Sequence, residues 1–516
     1  MDRRAFLTTT GAAAFLSGAG APSANAFVPA HVWDGYDFGS GPPVADRLNQ
    51  GPFPTYPPEE VVPGSSVVMA TTPSRDIVPN YGMGLVVYVS GDIGPPRIPG
   101  ESLERSIEDL VTLPFVQKVY LRPNWRDVQQ RPGRLDFPEY WKVSFDLARR
   151  HGKQVAFRIM TENPDVPFPG MPDFLVDRVP YVTLKGEWTG DPSRVRYRKT
   201  HRMPRYDHPA YQAAFEELNG LLADELDGHP LVEYMDTFMY GFWGEGHTWP
   251  FEGHPFPDDV VAEETWLRML ETQLRTWTQT PLVTNTQPDY SRVGNAALLD
   301  RTVRSHNWIR TDTIFIENMQ IEALSNRPPW TAAISEIGLR TMDRLTEDQG
   351  VDINESIIAH VIDLGANYWS VWNWHDIAAR NILDYYERKP GPIDEIARRI
   401  GYRVRPSWVW QFEKAGRQGL VFGMVNDGIA GVPGVLRLTV LSGEGRVRVS
   451  GCLDPGSPGP RGVRQAMLML QAGVDWKGLR LKAELEVKGA RHPLAFACRQ
   501  QTNPDGTLTL APTSGV

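Results

Sequence analysis

Residues 232–249 read VEYMDTFMYGFWGEGHTW and decide the predicted fold. The apolar run Val232–Phe242 is typical of a strand buried on both faces, as in a parallel sheet. It ends at Trp243–His247 (WGEGH), where two glycines let the backbone bend and approach a ligand closely. A carboxylate at such a strand end is typical of a catalytic group on a parallel barrel. Apolar neighbours disfavour the charged form, so the pattern predicts a raised pKa for Glu245; a solvated glutamate in a loop is the alternative.

Strand-like and helix-like runs alternate from about residue 81 to about residue 402. Helical spacing predicts helices over residues 138–150, 209–227, 259–277 and 354–364. With Val232–Phe242, the predicted strands are Gly84–Ser90, Lys118–Pro123, Gln154–Met160, Leu282–Thr286, Thr302–Trp308, Thr331–Glu336 and Asn367–Trp374. Thr313–Glu317 competes with Thr302–Trp308 for the sixth position. The alternation predicts an α/β fold, a (β/α)8 TIM barrel over residues 81–402.

The two ends of the chain differ from this middle part. Residues 403–516 contain short strand-like runs with turn signals between them, which predicts a C-terminal antiparallel β-sandwich. Residues 27–80 are rich in proline and glycine, and we expect an irregular lead-in packed over the barrel. Residues 1–26 carry Arg3-Arg4 and end at Ala24-Asn25-Ala26, the pattern of a twin-arginine signal peptide. We therefore expect an exported protein, periplasmic or extracellular.

Composition excludes some classes of function. The net charge of −9 argues against general nucleic-acid binding, and no run after the signal peptide reaches the ~18 apolar residues of a membrane helix. No metal or cofactor motif is present, so we expect no metal and no cofactor. Cys452 and Cys498 could form a disulfide after export or remain reduced, and the sequence leaves both alternatives open.

A second carboxylate follows the same pattern as the first. Glu336 ends the apolar run in residues 330–338 (WTAAISEIG), so Glu245 and Glu336 are predicted to end the fourth and seventh strands and to face one cleft. Two carboxylates across a sugar ring are what glycosidic cleavage requires. Glu317 is the main rival for one of these roles, and Asp236 and Asp376 are lesser ones. The pair makes a glycosidase the leading interpretation.

Three segments carry a family resemblance. Residues 120–125 (YLRPNW), 131–137 (RPGRLDF) and 148–153 (ARRHGK) resemble the early barrel of clan-A glycoside hydrolases, especially β-galactosidases of the family 42 type. Residues 241–247 (GFWGEGH) are more similar to related barrels of unknown function whose fourth strand reads G-x-W-G-E-W. The resemblance covers about residues 82–380 and is more specific for the fold than for the reaction.

The resemblance implies roles for individual residues. It implies Glu245 as acid/base and Glu336 as nucleophile, with retention of configuration, and Arg122 as the arginine that orients the nucleophile. Substrate contacts are expected from Trp125, Trp243, His247, Asn285, Trp372 and Trp374. The clan usually has asparagine directly before the acid/base, where it contacts the sugar 2-hydroxyl, but this chain has Gly244. His247 or Asn285 could replace that donor.

The long loop after the third strand, about residues 161–208, carries many basic residues in an acidic protein: Arg194, Arg196, Arg198, Lys199, Arg202 and Arg205. These could recognise an anionic sugar, or the loop could simply be solvated. The leading hypothesis is an exported retaining glycoside hydrolase acting on poly- or oligosaccharide. The alternatives are a non-catalytic carbohydrate-binding barrel and a polysaccharide lyase, which would need a base near an arginine and an acidic substrate.

Overall fold

A computed structural model of the chain describes residues 66–91, 94–188, 198–286, 295–311, 324, 326–336, 338–339, 353–371 and 379–512. Within these ranges, eight parallel strands close into a barrel and are neighbours in the order in which they occur in the sequence. They are β2 (Gly84–Tyr88), β3 (Lys118–Leu121), β4 (Gln154–Phe157), β7 (Val232–Asp236), β9 (Leu282–Asn285), β10 (Trp308–Thr311), β11 (Ala333–Ser335) and β12 (Tyr368–Ser370). The predicted TIM barrel is confirmed.

Amphipathic helices connect the strands. The helices are α1 (Leu103–Val111), α2 (Trp125–Val128), α3 (Glu139–Arg150), α4 (Asp173–Val176), α5 (Pro209–Leu226), α6 (Asp259–Thr276), α7 (Asn295–Arg304), α8 (Ile353–Asp363), α9 (Ala379–Arg388) and α10 (Pro390–Arg399). Helix α5 shows why they form, since Pro209 occupies its first turn and Tyr211, Phe215 and Leu218 are buried at helical spacing. No helix within the described ranges is both long and apolar enough to cross a membrane.

Two strand predictions on the barrel were wrong in their bounds. The predicted run Thr302–Trp308 begins inside α7, where the Thr302 hydroxyl donates to the Leu298 carbonyl one turn earlier, at 2.8 Å. The β-branched residues at the end of this helix resemble a strand, whereas the sixth strand starts only at Trp308. The fourth strand ends at Asp236 and not at Phe242. The competing run Thr313–Glu317 lies outside the described residues.

The C-terminal part forms two antiparallel sheets, as predicted. One has the order β1 (Ser66–Ala70), β13 (Val404–Lys414), β14 (Arg417–Asn426) and β17 (Val463–Met469). The other has the order β16 (Val447–Cys452), β15 (Val435–Leu441), β18 (Arg480–Val487) and β19 (Ala490–Leu494), with β20 (Leu508–Thr509) on β18. Residues 494–499 form the last of the strand-like runs in the sequence, but all of them except Leu494 lie beyond β19, because the hairpin of β18 and β19 turns earlier, at Lys488-Gly489, both at positive φ.

The lead-in contributes to this second part. Residues Ser66–Ala70 were expected to be irregular and packed over the barrel, but they pair antiparallel with β13 as an edge strand of the sandwich. The chain therefore starts its described part in one sheet of the sandwich and returns to it after the barrel. Cys452 and Cys498 are both free thiols, so of the two alternatives the structure has the reduced form.

A buried ion pair closes the amino-terminal end of the barrel. Lys118 on β3 donates to Glu233 on β7, and both side chains are fully buried. Glu233 also accepts from the Tyr368 hydroxyl (2.5 Å) and from the backbone N–H of Gly82 (2.8 Å). Burial lowers the pKa of Lys118, and the opposing attraction of Glu233 reduces this effect. The pair is stable only because each charge has its partner and further hydrogen bonds.

Removing one partner of this pair should destabilise the protein strongly. We expect Glu233→Ala to cost about 3–5 kcal/mol, since it leaves the buried Lys118 charge unpaired. The measurement is denaturant unfolding followed by tryptophan fluorescence. The control is Asp146→Ala, which breaks the exposed Arg149–Asp146 pair and should cost less than about 1 kcal/mol. Equal losses in the two variants would contradict the prediction.

Candidate active site

A folded loop brings Glu245 back to the carboxyl end of the barrel. The strand β7 ends nine residues earlier, and the chain then turns on itself through backbone hydrogen bonds from Met239 to Gly244 (2.8 Å) and from Phe242 to His247 (2.9 Å). The Trp243 N–H donates to the Glu162 carbonyl (2.7 Å), which fixes the loop to the segment that follows β4. The predicted position at the carboxyl end is therefore reached by a loop and not by an extended strand.

Glycines in this loop are required by space as well as by backbone angle. Gly241 has φ +82°, and a Cβ there would lie 2.1 Å from the His247 carbonyl oxygen. Gly244 has φ +76°, and a Cβ there would lie 2.9 Å from the Ile159 carbonyl oxygen. The asparagine that the clan has at the position of Gly244 therefore does not fit this backbone.

Glu245 is held by two basic side chains. Arg158 directly follows β4, and its Nη2 donates to Oε1 of Glu245 at 2.5 Å. The other carboxylate oxygen lies 3.3 Å from Nε2 of His247, and all three side chains are buried. Among the described residues, Nε and Nη1 of Arg158 and Nδ1 of His247 have no hydrogen-bond partner. Buried polar atoms without a partner are uncommon in folded proteins and require an explanation.

Glu336 belongs to a second group of charges next to the first. It directly follows β11 and forms an ion pair with Arg310, the third residue of β10. Arg310 also forms an ion pair with Asp236, which accepts from the Tyr120 hydroxyl. Arg122 approaches Oε1 of Glu336 with its Nη1 at 4.0 Å. Both glutamates thus lie at the carboxyl end of the barrel.

The pKa of Glu245 is lowered, which contradicts the predicted rise. Burial alone would raise it, but the charge of Arg158 and the hydrogen bond from His247 outweigh burial, and the charge of Arg310 acts in the same direction. Burial is the largest single influence on this pKa, yet the basic groups around the carboxylate outweigh it together. Glu245 is therefore a carboxylate in this structure.

The other predicted site residues have different positions. Asn285 ends β9 beside Arg310 on the neighbouring strand, and the half-buried Trp243 donates from its indole N–H to Asp165 at 3.3 Å. The prediction that Trp125 contacts substrate was wrong. Its ring is fully buried against Tyr211 and its indole N–H donates to Gln129, which leaves no face for a substrate. Trp372, Trp374, Glu317 and Asp376 lie outside the described residues.

Sequence reasoning named Arg122 but missed the two arginines that form the closest ion pairs with the glutamates, Arg158 and Arg310. Arg158 follows the apolar residues 155–157, and Arg310 follows Trp308 and Ile309, so each is a charge at the end of a buried strand. This is the same signal that identified Glu336. Arg310 was not recognised because the predicted sixth strand was placed too early and ended two residues before it.

A hairpin lies in the long loop after β4. It consists of β5 (Tyr181–Trp188) and β6 (Arg198–Pro204), and β5 also pairs with β8 (Phe251–Glu252). Arg202 is placed over the ring of Tyr181 at 4.5 Å, and Arg205 forms an ion pair with Asp207. Arg194 and Arg196 lie outside the described residues. Two of the basic residues expected to recognise an anionic sugar thus have partners within the protein.

Comparison with known proteins gives similarity at the level of the barrel. No family model and no curated protein matches the chain. Among solved structures, the chain is similar to the catalytic domain of a β-amylase from Paenibacillus polymyxa, with TM-score 0.41 and 9% identity over 61% of this chain and 98% of the other. It is similar to endo-glycoceramidase II from Rhodococcus sp., with TM-score 0.35 and 13% identity over 77% and 100%. It is also similar to a β-galactosidase from Marinomonas ef1, with TM-score 0.35 and 13% identity over 61% and 62%. Similarities this weak do not assign a family.

A pair of glycine substitutions tests the loop geometry. Gly241→Ala should lower the melting temperature by several degrees more than Gly253→Ala. Both positions have positive φ, but only the first would place a Cβ against backbone, whereas nothing lies within 4 Å of the second. The measurement is thermal unfolding of both variants beside the unmodified protein. Equal shifts would show that the contact with His247 does not restrict this position.

Acid should remove the stabilising contribution of Glu245. Because its pKa is lower in the folded state than the ordinary value of 4.5, the carboxylate stabilises the fold above that pH and loses this contribution as the pH falls below it. The difference in melting temperature between the unmodified protein and Glu245→Gln should therefore shrink between about pH 7 and about pH 3. The exposed Glu264→Gln serves as control. A difference that is constant over this range would contradict the lowered pKa.

Proposed function

We propose that this protein is a glycoside hydrolase that cleaves poly- or oligosaccharide with Glu336 and Glu245 on opposite sides of the bond. The observation that carries the proposal is the position of these two buried carboxylates at the carboxyl end of one TIM barrel, each in an ion pair with a buried arginine. Barrel enzymes place their catalytic groups at this end. Two carboxylates are the usual requirement of glycosidic cleavage.

The charges around Glu336 suit a nucleophile. A nucleophilic carboxylate must be ionised and fixed in direction, and Arg310 and Arg122 both approach this side chain. We propose that Glu336 attacks the anomeric carbon, which gives a covalent intermediate and retention of configuration. This role agrees with the one that the family resemblance implies.

Glu245 occupies the position of the acid/base but not its usual protonation state. A general acid that works near neutral pH needs a pKa near that pH, whereas Arg158 keeps this carboxylate ionised. In the proposed reaction Glu245 therefore lies on the side of the leaving group but does not itself donate the proton. It acts through a neighbouring group that carries the proton.

We also propose that the protein acts outside the cytoplasm, after removal of residues 1–26. The support is the twin-arginine pattern and the Ala24-Asn25-Ala26 site in the sequence. Residues 1–65 lie outside the described part of the chain. Mass determination of the N-terminus of protein exported from its host would test this proposal.

Activity and substrate can be tested together. The purified mature protein should release sugar from some member of a panel of aryl glycosides and plant, algal and bacterial polysaccharides. Glu336→Gln should lower kcat by at least about 10²-fold, because it removes the attacking oxygen. Exposed Glu264→Gln is the matched control and should retain full activity. Proton NMR of the first-formed product should show the anomer of the substrate.

Two results would refute parts of this proposal. Turnover that survives Glu336→Gln would overturn the site, and an inverted anomer would overturn the covalent intermediate. The ion pair with Arg158 compensates the charge of Glu245 and keeps it from acting as an acid. It therefore also favours a second candidate function, a carbohydrate-binding barrel without turnover. Retained glycan binding without sugar release, measured by calorimetry on the same panel, would establish that candidate.

A further inference from the structure

The leaving-group oxygen of a glycoside needs a proton, and the structure offers a donor other than a glutamic acid. His247 lies two residues after Glu245 in the same loop, with its Nε2 3.3 Å from Oε2 of that carboxylate. Its ring is 2% exposed, and its Nδ1 has no hydrogen-bond partner among the described residues. A buried ring nitrogen without a partner is costly unless a ligand meets it.

We infer that His247 is the catalytic acid/base of the proposed glycosidase and that Glu245 is the residue that positions it. This inference rests on the proposed function. A carboxylate that accepts from one ring nitrogen fixes the tautomer and the orientation of the imidazole and stabilises its protonated form. The loop supports this geometry, because the His247 carbonyl accepts from Phe242 and lies so close to Gly241 that no side chain fits there.

Arg158 has a defined part in this arrangement. It donates to Oε1 of Glu245, whereas His247 faces Oε2, so the two basic groups use different oxygens of one carboxylate. Arg158 thereby keeps Glu245 ionised and able to accept from the imidazole. A protonated Glu245 would carry no negative charge and would no longer stabilise an imidazolium beside it.

The reaction balances with these groups alone. In the first step a carboxylate oxygen of Glu336 bonds to the anomeric carbon, and the bond from that carbon to the leaving oxygen breaks. The electron pair of the broken bond goes to the leaving oxygen, which takes the Nδ1 proton of His247. In the second step the neutral Nδ1 takes a proton from water, whose oxygen bonds to the anomeric carbon and releases the Glu336 carboxylate. The imidazolium is restored, and one water has been consumed per bond cleaved.

Leaving-group dependence tests the inference. The probes are dinitrophenyl and methoxyphenyl glycosides of the sugar that the unmodified protein releases; dinitrophenolate departs without a proton, whereas methoxyphenolate needs one. His247→Gln should lower kcat/KM on the methoxyphenyl glycoside by about 10²–10⁴-fold and on the dinitrophenyl glycoside by less than about 10-fold. His254→Gln, at a partly exposed histidine paired with Asp259, is the matched control and should change neither value.

Azide separates a direct role from an indirect one. In His247→Ala, azide should attack the covalent intermediate without needing a base, raise turnover of the dinitrophenyl substrate and give a glycosyl azide of unchanged configuration. Glu245→Gln should lower kcat/KM on the methoxyphenyl glycoside by less than His247→Gln does, change the dinitrophenyl value by less than about 10-fold and give no azide product, because it disturbs the position of His247 and leaves the acid/base present. Melting temperatures of all variants show whether each is folded.

The failures are distinguishable. The inference is wrong if the loss confined to the methoxyphenyl glycoside and the azide product are seen with Glu245 variants and not with His247 variants. The proposed glycosidase would then stand, with Glu245 as the proton donor. Equal effects of His247→Gln on both substrates, or no effect on either, also overturn it. If the unmodified protein cleaves no glycoside of the panel, the proposed function fails and the inference fails with it.

Discussion

The ion pair between Arg158 and Glu245 is the interaction on which the rest of the site depends. Both groups are buried at the carboxyl end of the barrel, where an unpaired charge would be costly. The pair fixes Glu245 as a carboxylate, and that protonation state determines what His247 can do beside it. It also helps to explain why the pattern of apolar neighbours led to the wrong sign for the pKa, since the effect of burial is outweighed by the charge of Arg158 together with the hydrogen bond from His247 and the other nearby positive charge.

Six buried charged side chains at this end of the barrel, all among the described residues, balance one another in charge. Three carboxylates (Asp236, Glu245 and Glu336) alternate with three arginines (Arg122, Arg158 and Arg310), and every one of these side chains is at least nine-tenths buried. Arg122 and Arg158 directly follow their strands and Arg310 is the third residue of the four-residue strand β10, so the positions of the arginines depend on the register of neighbouring strands, whereas the position of Glu245 depends on the loop after β7. If a strand shifted by one residue against its neighbours, its charged side chain would point out of the barrel into the apolar layer between strands and helices. The network therefore strongly favours the observed register.

Much of the fold was predictable because periodicity reports burial directly. The strands β2, β3, β4 and β9 begin where the apolar runs begin, and the helices around them follow the 3.6-residue spacing within two residues. The sixth strand failed because the end of α7 is rich in β-branched residues, and β1 was missed because an edge strand of five residues in a proline-rich stretch has little signal. The site was predictable only in part. The strand-end position identified Glu336, and the glycines identified the turn at Glu245. The arginines that contact these carboxylates come from other strands, and sequence spacing carries no information on such contacts.

Charge balance also bears on the chemistry of the substrate. Six basic residues in the loop after β4 and three arginines in the barrel would together suggest an acidic sugar, if they were counted without their partners. In the structure each barrel arginine faces a carboxylate, Arg205 faces Asp207, and Arg202 lies over an aromatic ring. The interior of the site therefore presents little net positive charge to a ligand, and free donors such as Nη1 of Arg158 are suited to hydroxyl groups. Recognition of an anionic ligand would therefore need basic groups outside this network.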